Sequence, residues 1–244
     1  MVSAVLPATR EPKYYTVKRH LLQHIESLAP GSPVPTERVL ATELATSRTT
    51  VRQALVELVA EGRLVRRQGA GTFVAEPKLT WPLHLMSFTE QAAANGFTAS
   101  TRLLAAERIR ADEVVATRLG LPLGAPVCRI ERLRLADDRP MAVETSHLSA
   151  ARFPQLARHI RREQSLYAVL ERLYGVVPIS AEESISTAPA STREAQLLNT
   201  DTGAPMLVLG RHSLDGAGEP VEWVTSWYRG DRVTFVARLS SPRP

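Results

Sequence analysis

The sequence predicts two domains, an N-terminal winged helix-turn-helix and a larger α+β domain built on an antiparallel sheet. Three observations carry that prediction. A chain of 244 residues is long for one compact domain and comfortable for two. Its first third reads as three short apolar-periodic helices followed by two β-prone runs around glycines. Beyond the two prolines of Glu76-Pro77-Lys78-Leu79-Thr80-Trp81-Pro82, strands dominate. The expected organisation is therefore a loose arm over 1–12, a winged helix over 13–75, a linker over 76–82 and a second domain over 83–244.

The elements follow in order. From Tyr14 to Leu28, Val17, Leu21, Leu22, Ile25 and Leu28 form one helical face, which Pro30-Gly31-Ser32-Pro33 ends. A short helix over Glu37 to Leu44 takes Thr36 as its N-cap, and Ala45-Thr46 is a tight link. The third helix starts on Ser47, buries Val51, Leu55, Leu58 and Val59, and stops at Gly62. The turn Gln68-Gly69-Ala70-Gly71 then joins Leu64-Val65-Arg66 to Thr72-Phe73-Val74-Ala75 as a hairpin. In the second domain, strands are expected over Ser100 to Arg110 and Pro126 to Ala136, with a helix from Asp112 to Leu119 between them. Asp137-Asp138-Arg139 turns the chain into a strand from Pro140 to Ser149. A helix from Ser165 to Tyr174, a strand from Ile179 to Thr187 and a short helix from Thr192 to Leu198 follow. Pro205 to Leu214 and Pro220 to Tyr228 flank the turn Asp215-Gly216-Ala217-Gly218, and Thr234 to Leu239 is expected to close the sheet.

Composition narrows the function. Hydrophobic residues are 44% and charged residues 23% of the chain, and no run of about 18 apolar residues offers a membrane span. The lone Cys128 can form no internal disulfide, which fits a reducing cytoplasm. The net charge of +5 is uneven: through Lys78 there are 11 Lys and Arg against 7 Glu, and the remainder is nearly balanced. That excess suits a polyanion, although a small basic excess also occurs on ordinary solvated surfaces.

Three blocks in the first domain carry a resemblance: Val34-Pro-Thr-Glu-Arg-Val-Leu-Ala-Thr-Glu-Leu44, Ser47-Arg-Thr-Thr-Val-Arg-Gln-Ala-Leu55 and Gly69-Ala-Gly-Thr-Phe-Val74. Together they resemble the GntR family of regulators. Physical chemistry points the same way, because Ser47, Arg48, Thr49 and Thr50 occupy the helix end that enters the major groove in this motif. Hydroxyls and free N–H groups at a helix N-terminus suit phosphate oxygens, and the Arg48 fork suits guanine O6 and N7. The resemblance implies that Arg38 and Arg48 read bases, that Ser47, Thr49, Thr50 and Arg52 hold the backbone, and that Gln68 and Gly69 at the wing reach the minor groove. Ala70 departs from the longer, basic side chain many relatives carry there. The competing reading is a solvated helix face with Ser47 as a simple cap.

In the second domain, Met86-Ser-Phe-Thr-Glu90, Arg129-Ile-Glu-Arg-Leu-Arg134, Met141-Ala-Val-Glu-Thr145, Ser165-Leu-Tyr167, Pro220-Val-Glu-Trp223 and Tyr228-Arg-Gly-Asp-Arg232 resemble the UTRA effector domain of the HutC subfamily. That resemblance implies a chorismate-lyase-like fold, and it is nearest the DasR/NagR group, which responds to phosphorylated amino sugars. Arg132 and Arg134 alternate along a strand and share a face, so an anion between them is expected. Ser165, with the N–H groups of Leu166 and Tyr167, opens a helix that can receive the same phosphate. Glu144 and Glu222 offer acceptors for sugar hydroxyls, and Tyr228 a hydroxyl and a ring face. The resemblance adds Ser87 and Phe88 as lining. Against this, an Arg-x-Arg pair facing a glutamate is commonly a cross-strand salt bridge, and Ser165 a simple cap.

The expectation is a homodimeric regulator, repressor-type and not an enzyme, that binds palindromic double-stranded DNA and is modulated by N-acetylglucosamine-6-phosphate or glucosamine-6-phosphate. Another phosphorylated sugar or small anion is the alternative effector. No cofactor and no metal is expected, since the six histidines show no ligand spacing. Paired carboxylates Glu144 and Glu222 on a lyase-like fold leave a carbohydrate-phosphate enzyme as the remote rival.

Overall fold

The computed structural model describes residues 12–67, 69–76, 78–163 and 165–239. The chain divides between Lys78 and Leu79 into two compact units. In the first, α1 (Lys13–Glu26), α2 (Glu37–Glu43) and α3 (Arg48–Ala60) are followed by a hairpin of β1 (Leu64–Arg67) and β2 (Gly71–Val74). Thr36 caps α2 through Val39 N, and Ser47 caps α3 through Thr50 N. Ala45, at φ 45°, takes the left-handed corner between α2 and α3. Val17, Leu21, Ile25, Leu40, Val51, Leu55, Leu58 and Leu64 bury one common core, which fixes how α3 stands on α1 and α2.

The second unit is built on a six-stranded antiparallel sheet. It comprises β4 (Ala99–Arg110), β5 (Pro126–Ala136), β6 (Arg139–Ser149), β7 (Ser180–Pro189), β8 (Pro205–Leu214) and β9 (Pro220–Arg229) in the order β4-β5-β6-β9-β8-β7. Helices α4 (Phe88–Ala94), α5 (Glu113–Leu119), α6 (Leu156–His159), α7 (Leu166–Tyr174) and α8 (Thr192–Leu198) occupy its connections. The turn after β5 uses left-handed Asp137 and Asp138, residues whose short polar side chains tolerate that conformation.

Two expectations need correction. Residues Leu79–Pro82, read as linker, form β3, and Val233–Val236, expected to close the main sheet, form β10. The two pair with each other, in parallel, as a separate two-stranded sheet. Trp81, fully buried and in edge contact with Phe88 and Tyr228, is the reason the segment is held rather than loose. The helix α4 was also unforeseen, although Ser87 and Glu90 form a reciprocal capping box at its start.

Candidate functional site

Each unit gathers arginines around one glutamate. On the first, Glu37 at the start of α2 takes a two-pronged contact from Arg52 (Nε–Oε1 3.1 Å, Nη2–Oε2 3.0 Å). Arg66 of β1 stands 3.6 Å and Arg48 of α3 3.8 Å from the same carboxylate. The Arg52 hydrogen bond, partly opposed by burial, holds the Glu37 carboxyl below its ordinary value of 4.5. Three guanidiniums are thus held at one exposed surface, their side chains 45–64% accessible. Sequence reasoning did not single out Arg66, since the alternation of a four-residue strand is too short to signal it, nor Glu37, which reads as an ordinary acidic residue in the first turn of a helix.

The remaining predicted residues of this unit fall on the same elements. Arg48, Thr49 and Thr50 form the first turn of α3, and Arg38 is exposed on α2. The Ser47 and Thr50 hydroxyls bond each other at 2.8 Å, so they act first as helix caps. Gly69, at φ +72°, forms the open wing turn where no Cβ would meet a neighbour. Gln68 lies outside the described residues.

In the second unit, β5, β6, β7, β8, β9, α4 and α7 line a narrow cavity of about 50 Å³, smaller than the roughly 300–1,000 Å³ usual for small-molecule sites. Of the ten residues expected to hold an effector, nine line it: Ser87, Phe88, Arg132, Arg134, Glu144, Leu166, Tyr167, Glu222 and Tyr228. Ser165 does not; its hydroxyl accepts from Ala168 N and caps α7. The N–H groups of Leu166 and Tyr167, in the first turn of α7, have no acceptor within their own helix.

The sheet register explains the assembly. Arg132 of β5 sits directly opposite Glu144 of β6, and Glu144 opposite Ser226 of β9. Glu144 Oε2 lies 3.2 Å from Arg132 Nη2 and 3.5 Å from Arg134 Nε, so the two arginines share one carboxylate rather than face each other bare. All three side chains are almost wholly removed from water. Phe88 lies under the Arg134 guanidinium at 4.4 Å, and Thr89 accepts from it at 3.4 Å. Burial pulls Arg134 down to about 10, with Glu144 working against it, so it stays charged near neutrality. Arg132 Nε finds no acceptor among the described residues.

Sequence reasoning missed one pair. Arg211 of β8 and Glu183 of β7 are cross-strand partners at the cavity wall, joined by three contacts of 3.1–3.2 Å. Burial tends to lower Arg211, but Glu183, together with Tyr167 and Tyr228, raises it above its ordinary value. Burial pushes the Glu222 carboxyl up, against the opposing pull of Ser146, Arg132 and Arg211. Three guanidiniums, of Arg132, Arg134 and Arg211, thus share the cavity wall with the carboxyl groups of Glu144, Glu183 and Glu222. An anion with several acceptor oxygens suits such a concentration of guanidinium donors, of which Arg132 Nε has no acceptor among the described residues. Among the described residues no cluster of His, Cys, Asp and Glu could hold a metal. No helix of the described chain is long and apolar enough to cross a membrane.

Comparison with known proteins agrees with this division. Residues 13–74 match the family of bacterial regulatory proteins described as the gntR family, and residues 94–234 match the UTRA domain. The chain is 41% identical over 94% of its length to the HTH-type transcriptional repressor PhnF of Mycolicibacterium smegmatis, covering 93% of that protein. It is 40% identical over 92% of its length to the HTH-type transcriptional repressor NagR of Bacillus subtilis, again covering 93%. The crystal structure of PhnF from Mycobacterium smegmatis superposes with a TM-score of 0.65, covering 92% of this chain and 99% of that one.

Proposed function

The chain belongs to the GntR family of bacterial regulatory proteins and carries a UTRA domain, and from that premise we propose that it senses a phosphorylated amino sugar. It is a transcriptional repressor of the HutC type and not an enzyme. The effector proposed is N-acetylglucosamine-6-phosphate or glucosamine-6-phosphate, bound in the cavity of the second unit. The DNA proposed is a palindromic operator read by a homodimer in the cytoplasm, with half-sites about one helical turn apart.

The observation that carries this reading is the desolvated Arg132–Glu144–Arg134 cluster beside the first turn of α7. Two buried guanidiniums that share one carboxylate keep further N–H donors, and an anion can accept from them. Tyr228 and the Glu222 carboxyl in the same wall supply the mixture of ring face and polar groups that a sugar needs. The likeness to the amino-sugar-responsive group, carried by the segments quoted from the sequence, supports the sugar.

One observation favours the second reading, a different phosphorylated sugar or a small anion. Glu144 is already engaged by two arginines, which leaves it less free to accept sugar hydroxyls. Titration calorimetry with glucosamine-6-phosphate, its N-acetyl form, N-acetylglucosamine and inorganic phosphate separates these. The phosphorylated sugars should bind at least about tenfold tighter than either the neutral sugar or phosphate alone, each charge-assisted bond contributing about 1.5–3 kcal/mol. Equal affinity for neutral and phosphorylated sugars would remove the phosphate clamp, and binding of inorganic phosphate alone would leave the small-anion reading.

A further inference from the structure

Between β3 and α4 runs a segment, residues 83–87, that belongs to no regular element. It is the first stretch of the second unit beyond the strand that follows Lys78, and it ends on Ser87 at the cavity wall. Its amide and carbonyl groups are therefore satisfied piecemeal. Leu83 N bonds to Val236 O of β10 at 2.9 Å, and Met86 N turns back onto His84 O at 2.9 Å. The Met86 carbonyl accepts from Arg211 Nη1 (3.3 Å), and that of His84 also accepts from Nη2 (3.5 Å).

Arg211 reaches them from the opposite side of the unit in sequence. Its backbone is fixed in the sheet between Glu183 of β7 and Val224 of β9. Glu183 takes Nε and Nη2 and so sets the plane of the guanidinium, leaving Nη1 for the Met86 carbonyl, while Nη2 also makes its longer contact to His84 O. A desolvated arginine held this way is rigid, since each donor it withdrew from a partner would be stranded. Arg211 is also part of the cavity wall, together with Tyr167 of α7 and Ser87, the N-cap of α4. One side chain thus touches the sheet, the edge strand, the cavity and the entering segment.

We propose that Arg211, oriented by Glu183, is a positioning residue that ties the occupied or empty state of the effector cavity to the conformation of residues 83–87. An anion in the cavity draws on the same guanidinium whose outer nitrogens hold the His84 and Met86 carbonyls. Its arrival re-apportions those bonds, and the segment that follows the DNA-reading unit in the chain responds. Only a differential hold on the segment in the two states can do this, and Arg211 supplies that difference. The inference rests on the effector cavity proposed above, and it also makes a claim about the protein without ligand.

The experiment uses the full chain as wild type, Arg211→Met and Glu183→Gln. Without any ligand, hydrogen exchange across residues 83–90 should accelerate by about tenfold or more in Arg211→Met, the loss of charge-assisted bonds to two carbonyls. Glu183→Gln, which keeps the shape of the side chain, should give a smaller acceleration in the same place. The β5–β6 hairpin should exchange at the wild-type rate in both variants. With N-acetylglucosamine-6-phosphate as probe, operator affinity is then compared at zero and at saturating sugar phosphate. In wild type the two values differ; in Arg211→Met they should coincide even where calorimetry shows the cavity filled. Unaltered exchange in 83–90 would overturn the proposal, as would a wild-type-sized response of operator affinity in the saturated variant. If the probe fails to bind wild type, the amino-sugar reading falls, and the exchange measurement alone decides the role of Arg211.

Discussion

Glu37 and Glu144 are the same device in two solvents. Each collects arginines from neighbouring elements: Arg48, Arg52 and Arg66 around one, Arg132 and Arg134 around the other. Around Glu37 the guanidiniums are 45–64% accessible, whereas around Glu144 they are 6% and 1%. In water such a pair contributes about 0–1 kcal/mol, so the first cluster can exchange its carboxylate for another anion at little cost. Out of water the contact can be broken only at a cost of about 3–5 kcal/mol. Exposure therefore leaves one cluster able to exchange partners freely, and burial holds the other in a fixed arrangement, which on the proposed function suits a DNA reader and an effector site respectively.

The comparison breaks most visibly at Glu144. Glu144→Gln strands two buried guanidiniums, and the second unit should lose about 3 kcal/mol or more. All three tryptophans, Trp81, Trp223 and Trp227, belong to that unit, so urea unfolding followed by their fluorescence reads it alone. Inorganic phosphate should restore part of the loss by replacing the missing charge. A loss below about 1 kcal/mol would place the buried cluster on the same footing as the exposed one.

Next in size is Arg134→Ala. It should weaken phosphorylated sugar by at least about tenfold, one charge-assisted bond, while leaving operator affinity of the ligand-free protein in place. Calorimetry and a fluorescent-duplex titration check the two halves. Arg48→Ala is the counterpart in the exposed cluster. It should cost roughly 1–3 kcal/mol on the operator and much less on a random duplex, and equal losses on both would make Arg48 a phosphate contact only.

The smallest effect is expected at Glu37. Glu37→Gln should change stability by less than about 1 kcal/mol. It should raise affinity for random DNA, because three arginines lose their counter-charge, and so narrow the gap between operator and random duplex. The pH dependence carries the sign. Arg52 holds the Glu37 carboxyl below its ordinary value of 4.5, so the contribution is present above that value and is lost as pH falls through the lower, folded one. Urea midpoints of wild type and Glu37→Gln should therefore converge in acid, and a gap that persists there would discard the pairing.

Much of this was legible in the sequence because the signals were local. The stripe Val51, Leu55, Leu58, the caps Thr36 and Ser47 and the turn Asp215-Gly216-Ala217-Gly218 each announce themselves within a few residues. The alternation that put Arg132 and Arg134 on one face also predicted their common cavity wall. What was missed depends on partners far along the chain. Glu183 and Arg211 each look like ordinary polar strand residues until β7 and β8 are in register. The proline-flanked Leu79–Pro82 reads as linker because nothing nearby shows that Val233–Val236 will pair with it. Ser165 was placed in the wall because a helix start serves equally as cap or ligand group, and spacing alone does not choose.

That parallel pairing of β3 with β10 has a consequence for how the molecule is made. Its two strands come from opposite ends of the second unit, so the contact is non-local and cannot form until the ribosome has delivered Val236. The first unit needs nothing beyond Lys78 for its helices and hairpin, and it can fold while the rest is still being synthesised. For that interval Trp81 has no partner strand, and the DNA-reading unit is complete before the sensor that governs it exists. A nascent chain can thus hold a folded winged helix before the cavity of the second unit exists.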